Sequence, residues 1–206
     1  MKSARTEEEP APDAATPRGD RPPSIKGTTM IHVVKFLRTR KEEARAFLPE
    51  RLRPYLKERL LPSVWYPEED HIELCRALAK LLPDPGMDIY EFIGEFGARA
   101  DLSGMYKHLL RPGDPAGTLQ KGAVIWQTYH DTGLYRVALD GPSAAHVELV
   151  SFGAPAPEIC LTLRGWNRTL LRMAGAKDVT VEETRCVHRG DVYCRWEIRW
   201  VDPAPA

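Results

Sequence analysis

The chain has 206 residues, with 29 Lys and Arg against 29 Asp and Glu, and four cysteines. That length makes room for one domain with a full hydrophobic core, and the zero net charge supplies no basic field for nucleic acid or an anionic membrane surface. Nowhere do about 18 apolar residues run together, as a membrane span requires, and the first residues hold no apolar run of signal-peptide length.

A cytoplasmic protein is therefore expected, without nucleic-acid partner or membrane span. In that compartment its cysteines serve metal binding, reactivity or plain burial rather than disulfides.

Residues 1–27 are dominated by Pro, Ala and charge, which leaves little to bury, so they are expected to form a disordered tail before a single domain over residues 28–202. "TTMIHVVKF", from Thr28, reads as a β-branched first strand. "KEEARAFLPERLRPYLKERL" has apolar residues at helical spacing broken by Pro49 and Pro54, which suggests short helices. "EEDHIELCRALAKLL" sets Ile72, Cys75, Leu78, Ala79 and Leu82 on one helical face behind an acidic first turn, so Cys75 reads as core.

From Asp88 to Leu110 a longer helical pattern contains Gly94, Gly97 and Gly104. Each glycine costs a helix about 1 kcal/mol relative to Ala. Close packing against another backbone or a ligand would explain them, as would a bend between two shorter helices. "LQKGAVIWQTYH" suggests another helix, and "LYRVALDG" and "AAHVELVSF" suggest antiparallel strands turned at "DGPS". A last helix begins near Pro157, and "DVTVEETRCV" with "VYCRWEIRW" forms the last hairpin. The expected fold class is α+β, an antiparallel sheet packed against helices.

The last hairpin carries the most chemistry. With Gly190 at the centre of a three-residue loop, Cys186 and Cys194 stand opposite each other, their Cβ atoms about 4.5–5.5 Å apart. Two such thiolates can share a zinc ion, which then needs two further ligands. Cys160, at the start of the last helix, and Glu183 are the natural candidates, because a helix N-terminus favours a thiolate. Residues three apart on a regular strand face opposite ways, so Glu183 and Cys186 can meet only across a bulge. Glu182 and His188 are alternative ligands.

The segment from Pro157 to Trp196, "PEICLTLRGWNRTLLRMAGAKDVTVEETRCVHRGDVYCRW", resembles the end of the 4-vinyl reductase domain of bacterial aromatic-sensing regulators and of a bacteriochlorophyll synthesis protein. That fold is shared with heme-NO-binding-like domains and TRAPP subunits. In the phenol sensors of the family a zinc ion is held by a cysteine opening a helix, then a glutamate and two cysteines. Cys160, Glu183, Cys186 and Cys194 reproduce those intervals of 23, 3 and 8 positions. The resemblance implies structural zinc on these four residues, an apolar or aromatic small-molecule ligand and a homodimer. It does not extend to the phenol pocket, whose tryptophan position falls near Leu139. The sensors' ATPase and helix-turn-helix segments do not follow, so a complete transcription activator is not expected.

Trp126, Tyr129, His130 and Tyr135 gather around "WQTYHDTGLY", with His146 on the next strand. Such groups can orient a small ligand, or they are ordinary core aromatics beside a surface histidine. An enzyme is disfavoured: no glycine-rich phosphate loop follows a strand, and four protein ligands close a metal to water. Three functions are weighed: a small-molecule sensor, a TRAPP-like scaffold with a protein partner, and a tetrapyrrole-related reductase or its accessory protein.

Overall fold

The computed structural model describes residues 21–202, so most of the expected tail lies outside the described residues. Its expected end at residue 27 is corrected. Ser24–Lys26 forms strand β1, antiparallel to β2 (Trp65–Pro67), and Ile25 has no exposed surface. The segment is held because the Ser24 amide donates to Asp131 Oδ1 at 2.6 Å, while the Asp131 amide donates to the Ser24 carbonyl at 3.0 Å.

The expected first strand is also corrected: residues Gly27–Thr39 form helix α1. Met30, Val33, Val34 and Leu37 recur at three- and four-residue spacing and are buried together, so the helical stripe prevails over β-branched propensity. Helix α2 (Lys41–Phe47), a 3-10 segment over Glu50–Leu56 and helix α3 (Glu68–Leu81) complete this N-terminal layer around Met30, Leu37, Leu52 and Leu74.

The C-terminal layer has its own core. Helices α4 (Ile89–Ser103), α5 (Pro115–Tyr129) and α6 (Pro157–Met173) lie with strands β3 (Leu134–Gly141), β4 (Ala144–Val150), β5 (Lys177–Arg185) and β6 (Cys194–Val201). The sheet is antiparallel, in the order β3-β4-β6-β5. This is the expected α+β class. Along β6 alternate residues Cys194, Trp196, Ile198 and Trp200 are buried, the period-two pattern of a sheet with one covered face. Asp88 caps α4 by accepting from the amides of Tyr90 and Glu91, and Asp114 caps α5 from Gly117.

Both explanations of the glycines hold, at different positions. A Cβ on Gly94 would lie 2.0 Å from the Thr162 carbonyl oxygen, and one on Gly165 would lie 2.0 Å from that of Glu91, so α4 and α6 cross backbone to backbone. Gly104 ends α4 before a 3-10 turn over Lys107–Leu109. Around Gly97 nothing lies within 4 Å of an added Cβ. Gly165→Ala should therefore lower the unfolding free energy by at least about 2 kcal/mol, because backbone cannot yield as a side chain does. Gly97→Ala should not lower it, and urea unfolding of the two variants checks the contrast.

Candidate functional site

The two layers do not close completely on each other. Between α1, α3, α4, α5 and α6 lies a cavity of about 300 Å³, at the small end of the range of ligand sites, roughly 300–1,000 Å³. Ile25, Phe36, Leu78, Phe92, Ile125 and Leu163 supply apolar wall. Phe96 also lines it and is 57% exposed, which marks the side open to solvent.

Of the residues expected to bind a ligand, Trp126, Tyr129, His130 and Tyr135 line this cavity. The Trp126 and His130 rings stack at 3.7 Å, and Trp126 Nε1 donates to the carbonyls of Thr132 and Gly133 at 3.1 and 3.2 Å. The Tyr135 hydroxyl donates to Asn167 Oδ1. His146 does not join them. It lies between the inward residues Ala145 and Val147 of β4, so alternation turns it to the outer face, where its Nδ1 is 2.9 Å from Asp140. There Asp140, His146 and Glu197 form a partly exposed group whose ligand atoms lie within 4.8 Å of one another.

The cavity also holds chemistry that apolar periodicity conceals. His71 and Cys75 of α3 line it, as do His32 and Asp101. Cys75 is buried, as expected, yet its Sγ lies 3.6 Å from His71 Nε2. Behind them Glu68 has no exposed surface. Its Oε2 is 3.0 Å from His130 Nδ1, and its Oε1 is 3.8 Å from His71 Nδ1. Burial alone would raise the Glu68 carboxyl, but the His130 and His71 rings outweigh it and hold it down to about 2. Burial would likewise lower His71, and the facing Cys75 sulfur and Glu68 carry it up to about 10. Burial raises the Asp101 carboxyl against Tyr129 and His32. The signal for this group was three reactive side chains at i, i+3 and i+7 on one buried helical stripe.

The second group lies at the other side of α6. Cys160 is in its first turn, Glu183 on β5, Cys194 at the start of β6, and Cys186 just beyond β5. Their ligand atoms all lie within 4.8 Å of one another and could hold a metal ion. Cys160 Sγ is 3.6 Å from Cys194 Sγ and 3.9 Å from Cys186 Sγ. The required bulge is present, between Glu183 and Arg185. The expected three-residue loop is not: Val187–Arg189 makes a 3-10 turn ending at Gly190, with φ of +93°, and Cys194 pairs with Leu149. Glu183 Oε1 is buried without a hydrogen-bond partner, while Oε2 accepts from Arg189 at 3.2 Å. The contact between the Cys160 and Cys194 sulfurs, in which either can donate, pushes the Cys160 thiol up and holds the Cys194 thiol down to about 6. The alternative ligands Glu182 and His188 are outside this group.

No family model matches the chain, and no curated protein sequence matches it. The fold does match solved structures. An H-NOX protein from S. oneidensis in the Fe(II)NO ligation state has 14% identity and a TM-score of 0.60, covering 86% of this chain and 99% of that one. An oxygen-binding H-NOX domain related to soluble guanylate cyclases has 12% identity and a TM-score of 0.59, covering 87% and 96%. A structure from work on heme distortion in the H-NOX family has 13% identity and a TM-score of 0.61, covering 88% and 96%. These likenesses establish the heme-NO-binding type of fold, one of those that the 4-vinyl reductase resemblance implied.

The comparisons also correct the expected cofactor. The structures sharing this fold are described by heme and Fe(II), not zinc, and four convergent donors are not by themselves evidence of that ion. A heme carries two carboxylates, and among the described residues no Lys or Arg lines the cavity to meet them; Asp101 and the rings of His32, His71 and His130 stand there instead.

Glu68 makes a pH prediction. A carboxyl depressed in the folded state contributes stability above its unfolded pKa and loses it as pH falls toward the folded value. The protein should therefore lose stability between about pH 5 and 2, and Glu68→Gln should be less stable at neutral pH but flatter across that window. Thermal melts across the range measure this.

Proposed function

We propose that the protein is a small-molecule-binding regulatory domain, and that its ligand is an uncharged apolar or aromatic compound held in the cavity between the two layers. The observation that carries the reading is the cavity itself: apolar walls with a few convergent polar groups from five helices. A fold shared with domains described as oxygen-binding and related to guanylate cyclases agrees with a sensing role. A scaffold of the TRAPP kind would have a filled interior, and a tetrapyrrole-handling protein would need cations facing the ring's acid groups.

Two further parts belong to this reading. Cys160, Glu183, Cys186 and Cys194 form a cation site joining α6 to the last hairpin, the ion being whatever elemental analysis finds. A homodimer forms through the outer face of the α4 region, where Phe96 and Met105 are 57% and 63% exposed.

Native mass spectrometry of freshly purified protein reads ligand, ion and dimer together. A retained small molecule is expected in the wild type and absent from Trp126→Ala and Gly97→Leu. Cys194→Ser should lose the ion, since a hydroxyl is a poor substitute for a thiolate. If no small molecule is retained, and small phenyl compounds raise Tm equally in the wild type and Gly97→Leu, the cavity is not the ligand site.

A further inference from the structure

Helix α3 carries Glu68, His71 and Cys75 on one buried stripe, and the last two of them face the cavity. Sγ lies 3.6 Å from His71 Nε2, and His71 Nδ1 lies 3.8 Å from Glu68 Oε1. A thiol beside an imidazole, with a carboxylate behind that imidazole, is the geometry of an activated sulfur nucleophile. Packing does not account for it. His71 is 7% exposed and its Nδ1 has no hydrogen-bond partner, nor has Glu68 Oε1, and buried polar atoms without partners cost about 1–3 kcal/mol each.

We propose that Cys75 is a nucleophile that captures an uncharged, apolar α,β-unsaturated carbonyl compound entering the cavity. The proposal rests on the cavity being the ligand site and adds the ligand's reactive class. The Cys75 proton passes to His71 Nε2, and Sγ forms a bond to the β carbon as the C=C π pair moves toward the carbonyl oxygen. The His71 imidazolium then gives its proton to the α carbon. The net change is addition of S–H across C=C, with no oxidant, reductant or leaving group.

The chemistry of the wall selects this class. A thiolate is a soft nucleophile that prefers conjugated carbon, and the absence of Lys and Arg from the described lining residues favours an electrophile without charge. Cys75 and Glu68 carry the His71 ring up against the opposing effect of burial, which strengthens it as the base for the Cys75 proton. Glu68 acts through His71 and is a positioning residue. The other titratable groups on the cavity wall are His32 of α1, Asp101 of α4, Tyr129 and His130 at the end of α5, and Tyr135 of β3.

The test treats the full chain with one equivalent of benzylideneacetone, an uncharged aromatic enone, and follows it by intact mass and peptide mapping. One addition on Cys75 is expected, at least about tenfold faster than on Cys160, Cys186 or Cys194, since general-base assistance is worth roughly a hundredfold or more. Cys75→Ser should take up none there. Labelling should rise less steeply with pH in the wild type than in His71→Asn, which lacks the base that takes the Cys75 proton and should also be at least about tenfold slower. Glu68→Gln should regain part of that slope. Gly97→Leu, which leaves the three residues untouched, should slow labelling by filling the cavity, and it covers the case in which the α3 variants fail to fold.

Adducts on the other cysteines, or labelling of Cys75 unaffected by both His71→Asn and Gly97→Leu in folded protein, would overturn the proposal. The saturated ketone benzylacetone separates the two readings. If it raises Tm while the enone forms no adduct, capture fails and the cavity reading stands; if neither compound binds, both fail.

Discussion

A carboxylate with no exposed surface sits at the join of the two layers, and much of the structure follows from satisfying it. Burying such a charge without partners costs several kcal/mol. Glu68 meets that cost with His71 of its own helix and with His130, which immediately follows α5. The amide of Glu68 donates to the Pro23 carbonyl, and Ile25 bridges to His130. The N-terminal layer therefore cannot move away from the C-terminal layer without parting Glu68 from His130, its nearer partner. That also explains why the segment just before α1 is held against both layers: it closes the polar seam.

Away from that seam the layers are held apart. Large rings occupy the C-terminal side, with Trp126 stacked on His130 and Tyr129 edge-on to Tyr106 at 5.1 Å. On α4, Gly94 lets the helix approach α6 to backbone contact, while Gly97 faces the cavity. The same residue type thus closes one contact and leaves space at another. Helix α6 takes part in both groups of functional side chains: Ile159, Thr162, Leu163 and Trp166 face the cavity, and Cys160 faces Cys194. Two chemically different sites therefore share one rigid element.

Much of this could be read from the residues. Helices α3 to α6 and the strands of the sheet follow from periodicity, though the turn of the last hairpin differs from the one expected; the nearness of Cys186 and Cys194 follows from their spacing, and the 4-vinyl reductase resemblance singled out Cys160 and Glu183 beside them. Other features depended on partners distant in the chain. β1 is three residues long and exists because β2 and Asp131 receive it. α1 looks like a strand by composition, and the helical spacing of Met30, Val33, Val34 and Leu37 prevails because that stripe is buried against α3 and the 3-10 segment. His146 was assigned to the ligand group although strand alternation already turned it outward. Cys75 was correctly placed in the core, but periodicity says nothing of which imidazole meets a buried thiol.

The charge of the cavity wall decides what can enter. A ligand bearing a carboxylate would find Asp101 there, and no Lys or Arg among the described lining residues. Leaving a buried charge without its partner costs about 3–5 kcal/mol. At about 1.4 kcal/mol per factor of ten, that removes roughly two to four powers of ten in affinity. Burial already raises the Asp101 carboxyl against the opposing effect of Tyr129 and His32, and a second carboxylate brought beside it would meet like charge. A neutral ligand avoids that opposition, because it brings no charge of its own.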